Sequence, residues 1–181
     1  HLPHGAGQQG LRPLPLVDPA SARPLLAVDI DGVVSLFGFE ERPQGPLYAY
    51  QLVDGVPHCI SLAAGDRLRR LAEAFELVWA SGWEEKANFY LPPLLGLPEL
   101  PHIAFDGARR SGAHWKLAAV DAYAGERPLA WIDDGFDATC FRWAEERAAP
   151  TVLVPTEPQR GLEEAHVDAL TAWARSLDSE R

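Results

Sequence analysis

From position 25 onward, short apolar runs alternate with stretches whose apolar residues recur every three or four positions. Runs of the first kind, closed by turn residues, predict buried strands, and the second kind predicts helices packed on a core. Residues 25–28 form the first run and end in Asp-Ile-Asp-Gly. Residues 47–62 alternate loosely about Asp54-Gly55, which predicts a β-hairpin flap. Asp66 is expected to cap a helix with Leu68, Leu71, Ala72 and Phe75 on one face. A second strand is predicted over 76–80, and Ser81 should cap a helix that starts near Trp83 and ends at Pro92-Pro93. The remaining pattern predicts a strand at 102–105, a loop at 106–112 and a helix over 113–123. A strand at 129–132, a helix over 136–148, a strand at 151–154 and a last helix over 162–176 complete it. Strands alternating with helices imply an α/β fold: a parallel, Rossmann-like sheet of about five strands flanked by helices.

The chain has 181 residues, which suits one domain. The expected division is a Pro/Gly-rich arm over 1–24, a single domain over 25–177 and a tail over 178–181. With 47% hydrophobic and 23% charged residues, the composition is that of a packed globular domain. No apolar run is long enough to span a bilayer, and no secretory leader is visible. The chain starts at His1 and contains no Met, so a preceding segment is expected. Cys59 and Cys140 stand in no ligand spacing and read as reduced, buried thiols, which points to the cytoplasm. A net charge of −10 gives no general electrostatic footprint for nucleic acid.

The polar residues that interrupt the apolar pattern fall just past strand ends, where open α/β sheets gather ligands. Strand alternation lets Asp29 and Asp31 point the same way while Ile30 points inward. One carboxylate can attack phosphorus, and the other can protonate a leaving oxygen and later deprotonate water. Gly32 permits a sharp turn there, though Asp-Gly is also what an ordinary turn requires. Ser81 and the following backbone N–H of Gly82 can hold a phosphoryl oxygen, or Ser81 can serve only as a helix cap. Lys116, early in its helix, offers a point charge for a phosphoryl transition state. Asp133 and Asp134 are adjacent carboxylates that repel unless a cation lies between them, and Mg²⁺ prefers such hard oxygens.

Asp-x-Asp-Gly, then Ser at a strand end, then Lys early in a helix, then Asp-Asp at a strand end, resembles the haloacid dehalogenase (HAD) superfamily over about residues 25–154. The resemblance implies a HAD-type phosphohydrolase with Asp29 as nucleophile, Asp31 as general acid/base, and Ser81 and Lys116 as the phosphate-binding pair. It implies a Mg²⁺ cofactor held by Asp29, the Asp31 carbonyl and Asp133, with Asp134 or Asp137 in an outer role. Relatives that displace halide lack the second aspartate, so Asp31 suits a phosphatase or phosphomutase.

A narrower resemblance rests on Val78-Trp79-Ala80-Ser81-Gly82-Trp83, Ala87-Asn88, Leu95-Gly96-Leu97-Pro98 and Pro128-Leu129-Ala130-Trp131-Ile132-Asp133-Asp134. It is to the HAD domain of the "Swiss Army Knife" RNA-repair proteins. That subgroup implies a nucleic-acid end phosphate as substrate. Too little chain separates the motifs for a large cap domain, so the enzyme resembles capless relatives, which borrow a lid from a partner or act on macromolecules. Phe37, Phe39, Tyr48, Tyr50 and Trp83 are candidates for base stacking, although flap and core packing explains each. His114 is a candidate phosphate donor and Asn88 a candidate lining residue, whereas His58 and His102 read as structural or solvated. Two other functions stay open: a phosphatase of small nucleotides or sugar phosphates, and a catalytically silent binding module.

Overall fold

The computed structural model describes residues 23–106 and 112–180. Most of the expected arm, residues 1–22, lies outside these. Of its end, Pro24 is buried, and its carbonyl accepts from Glu76 N at 3.0 Å, which fixes the entry to the first strand.

Four parallel strands make the main sheet: β1 (Leu25–Val28), β5 (Glu76–Trp79), β6 (Leu129–Asp133) and β7 (Thr151–Pro155), in the order β5-β1-β6-β7. A second sheet is antiparallel and joins β2 (Ser35–Leu36), β4 (Val56–Ser61) and β3 (Tyr48–Val53) in that order. The flap is therefore a hairpin extended by a third, two-residue strand that the sequence pattern did not suggest. The helices are α1 (Leu62–Leu71), α2 (Lys86–Leu95), α3 (Leu117–Ala124), α4 (Ala138–Glu146) and α5 (Glu164–Ser179).

Alternation along the central strands splits the core in two. Leu26, Val28, Trp79 and Ile132 face one side, against Leu68 and Leu71 of α1, Leu91 and Leu95 of α2, and Leu170 of α5. Leu25, Ala27, Val78 and Trp131 face the other, against Val120 of α3 and Cys140 of α4. Burying each such side chain contributes roughly 1.5–3 kcal/mol. The chain steps from β1 to β5 on one side and returns to β6 on the other. The crevice at the carboxyl end of β1 is thus the switch point of the sheet.

Several boundaries differ from the sequence pattern for identifiable reasons. Helix α1 begins earlier than Asp66, because Ser61 caps it by accepting from Ala64 N at 3.3 Å. Asp66 instead pairs with Arg69 and Arg70 on the helix surface. Pro92 and Pro93 lie inside α2, since a proline ring holds a helical φ; the helix stops at Gly96, whose φ of 63° is left-handed. Residues 102–105 form no strand. His102 makes a single bridge to Trp79 at the sheet edge, so four strands stand where about five were expected. Lys116 ends a short 3₁₀ turn, His114–Lys116, that leads into α3. Helix α4 starts after Asp137, whose side chain accepts from Cys140 N at 3.1 Å. Cys59 and Cys140 are unpaired and buried. Among the described residues, no helix is long and apolar enough to cross a membrane.

Candidate active site

Asp29 leaves the end of β1, Ser81 follows β5, and Asp133 closes β6, so the crevice gathers one polar group from each of three neighbouring strands. Hydrogen bonds lock these ends together. Asp29 N donates to Ile132 O at 3.0 Å, and Ala80 N donates to Val28 O at 2.8 Å. Asp29 is 5% exposed, Asp133 1% and Lys116 4%. Charges this deeply buried need partners.

Lys116 supplies the pairing. Its ammonium lies 3.0 Å from Asp29 Oδ1 and 2.7 Å from Asp133 Oδ2, and it donates to Ala80 O at 2.9 Å. All three of its donors meet protein acceptors. Burial alone would lower this ammonium's pKa, but Asp29 and Asp133 outweigh burial and hold it above its ordinary value. Burial also drives the Asp29 carboxyl well up, against the pull of Lys116. A protonated Asp29 would give Lys116 little to hold, and the short contact between them favours the ion pair.

Asp133 uses its other oxygen to accept from Gly135 N at 2.9 Å. Asp134 lies beside it and is partly buried. Burial first, then the charge of Asp133, pushes the Asp134 carboxyl up to about 6. One oxygen from each of Asp29, Asp133 and Asp134 falls within 4.8 Å of the others. Three clustered carboxylates against one ammonium leave surplus negative charge. That donor set fits a small divalent cation such as Mg²⁺.

Asp31 stands apart from that group. Its carboxylate is half-exposed, and Oδ2 accepts from Trp83 Nε1 at 3.1 Å. Ser81 is 2% exposed and its hydroxyl accepts from Trp83 N at 3.2 Å, so it caps a turn before α2, not the helix itself. Gly82 follows it on the wall of the same cleft, which encloses about 700 Å³. Phe37, Val53, Val56, Trp83 and Trp115 make the apolar walls, and Asp29, Asp31, Lys116, Asp133 and Asp134 make the polar floor. Lys86 of α2 reaches across to Asp54 at the tip of the flap.

Other candidates lie elsewhere. Asp137 caps α4 and faces His114 at 3.3 Å, and neither lines the cleft. Asn88 clamps Leu100 through two hydrogen bonds and accepts from Trp79 Nε1 at 3.3 Å. Tyr50 bonds to the Pro43 carbonyl and lies under Arg42, while Tyr48 and Phe39 are outside the cleft lining. Two residues gain importance. His58 lines the cleft, where the sequence read it as structural or solvated. Its position two residues before buried Ile60 on β4 was the available signal. Thr156 N donates to Asp133 O at 3.1 Å and its hydroxyl donates to Gly32 O at 2.8 Å, which ties the two acidic loops together. No spacing in the sequence marked it.

The model of the HAD domain in Swiss Army Knife RNA repair proteins matches residues 25–167. The chain belongs to this HAD family. The match covers every strand and the whole of the acidic floor, and it makes the α/β fold with its separate flap a HAD fold. Curated protein sequences provide no match to the HAD chain. Solved structures similar to it include two. One is a hypothetical protein from Xanthomonas campestris, with 13% identity, 88% of this chain and 87% of that chain covered, and a TM-score of 0.46. The other is a "putative 3-deoxy-D-manno-octulosonate 8-phosphate phosphatase" from Vibrio cholerae, with 14% identity, 87% of each chain covered and a TM-score of 0.42.

Proposed function

We propose that this HAD domain is a Mg²⁺-dependent phosphomonoesterase that works through a phospho-aspartate. The observation that carries the reading is the cluster of Asp29, Asp133 and Asp134 oxygens within 4.8 Å, cross-linked by buried Lys116. Asp29, Asp133 and Asp134 would hold the cation, which when bound supplies electrostatic stabilisation of a phosphoryl group.

The chain's own residues then divide the work. An Asp29 carboxylate oxygen attacks phosphorus, and the bond from phosphorus to the leaving oxygen breaks. Asp31, at the edge of the cleft, gives that oxygen its proton. Water next attacks the acyl phosphate and loses a proton to Asp31. The phosphorus–Asp29 bond breaks, and both carboxyl groups return to their starting states. Lys116 holds Asp29 and Asp133 in position, and Ser81 and Gly82, on the cleft wall, would bind a phosphoryl oxygen.

The family's description supports a nucleic-acid end phosphate as substrate. The cleft lining favours a second reading, a small phosphomonoester. Among the described lining residues the cations are Lys86 and Lys116, and each is already paired with carboxylate. A polyanionic strand needs unpaired cations along its path. Assays of 3′- and 5′-phosphorylated oligonucleotides against mononucleotides separate the two. The buried, unpaired thiols support a cytoplasmic setting for either. A partner would supply a lid, and one domain over 25–177 would carry the whole site.

The deciding experiment is Asp29→Asn. It should abolish Mg²⁺-dependent hydrolysis of p-nitrophenyl phosphate and leave the circular dichroism spectrum unchanged. Equal turnover by wild type and variant would remove the mechanism, and an inactive wild type would favour a silent binding module.

A further inference from the structure

We infer that His58 and Trp83 are positioning residues for Asp31, so that the flap controls departure of the leaving group. The inference rests on the reading of Asp31 as general acid. Asp31 is the one acidic side chain of the Asp-Ile-Asp-Gly turn that does not join the buried cluster. Its side chain is 51% exposed. A carboxylate so placed rotates freely unless something holds it, and a general acid must present its proton along one direction.

Trp83 holds one oxygen, and His58 stands beside the other. Trp83 Nε1 donates to Oδ2 at 3.1 Å. His58 Nδ1 stands 3.7 Å from Oδ1, close enough to bias it, and longer than a hydrogen bond. The imidazole is itself fixed. Its Nδ1 lies 2.9 Å from Ser35 Oγ, and its ring meets Trp83 edge-on, with centroids 4.9 Å apart. Ser35 and His58 belong to adjacent flap strands, β2 and β4. Ser35 also bridges to Asp31 through backbone. Trp83 comes from the turn after β5 that carries Ser81. The frame around Asp31 thus joins the flap to the phosphate side of the cleft, and neither residue need touch substrate to act.

Positioning of an acid has a signature that general loss of structure lacks. Phenolate is a poorer leaving group than p-nitrophenolate and needs the proton more. The measurement is kcat/KM, which reports the step in which the leaving group departs, for phenyl phosphate and p-nitrophenyl phosphate. His58→Ala and Trp83→Phe should each lower kcat/KM for phenyl phosphate by severalfold to about tenfold more than for p-nitrophenyl phosphate. His58→Gln, which keeps a donor, should recover part of the loss. Equal losses on both substrates, or none on either, would overturn the inference. Asp31→Asn is the reference: if it shows the selective loss and the other variants do not, positioning fails while the acid survives. If Asp31→Asn itself shows no selectivity, the acid reading falls and the inference with it. Should Trp83→Phe melt at a lower temperature, the His58→Ala and His58→Gln pair decides.

Discussion

The Lys116 ammonium and the Asp133 carboxylate meet at 2.7 Å, and both are almost wholly withdrawn from water. Breaking a buried pair from one side leaves an uncompensated charge, at a cost of about 3–5 kcal/mol. Lys116→Met is expected to lose about that much stability in urea unfolding with a chelator present. Mg²⁺ should restore part of it, because a cation among the carboxylates replaces the missing positive charge. A variant as stable as wild type without metal would mean that these carboxylates carry no net repulsion.

Asp134 gives a pH dependence with a definite sign. Its carboxyl in the folded protein is raised from 3.8 to about 6, so the folded state binds the proton more tightly than the unfolded one. Stability from this group is therefore highest at low pH and falls as pH rises from about 4 through about 6. In chelator, Asp134→Asn should raise the melting temperature relative to wild type, by more near pH 8 than near pH 4. Mg²⁺ should stabilise the variant less than wild type. A constant difference across pH would refute the shift.

Gly32 has a left-handed φ of 82°, and a Cβ there would overlap the Asp134 carboxylate. Gly55 has a similar φ of 80° with open space around it. Gly32→Ala should cost about 2 kcal/mol or more and abolish the thermal shift produced by Mg²⁺. Gly55→Ala carries the backbone strain alone and should keep that shift. Loss of the metal response in both would assign it to backbone strain in general.

Thr156 is 7% exposed and donates its hydroxyl proton to the Gly32 carbonyl. Thr156→Val keeps the shape and leaves that carbonyl unsatisfied, at a cost of about 1–3 kcal/mol. Thr156→Ser keeps the donor and should lose much less. Chemical denaturation of the pair measures the difference, and equal losses would attribute the effect to packing.

The strands at the centre of the sheet were legible because burial on both faces demands continuous apolar runs. Leu25–Val28 is found with the bounds read from the sequence. Helix starts were less legible, because several residues competed for each cap. Ser61 took the role expected of Asp66, since the flap strand delivers it there at an extended φ of −77°. The run at 102–105 resembled a strand by composition, but only His102 pairs with the sheet edge. In the site, residues at strand ends stood out because polarity there breaks an apolar pattern. His58 and Thr156 did not, because each acts through a contact distant in sequence: 23 residues for His58 to Ser35 and 124 for Thr156 to Gly32.

At its tip, the flap meets the opposite wall through Asp54 and Lys86, both well exposed. Such a pair contributes about 0–1 kcal/mol and weakens as dissolved ions screen it. Asp29 and Asp133, buried and cross-braced by Lys116, are insulated from the same ions. Ionic strength therefore acts on admission more than on the buried nucleophile, giving the molecule a pliant doorway over an unyielding hearth.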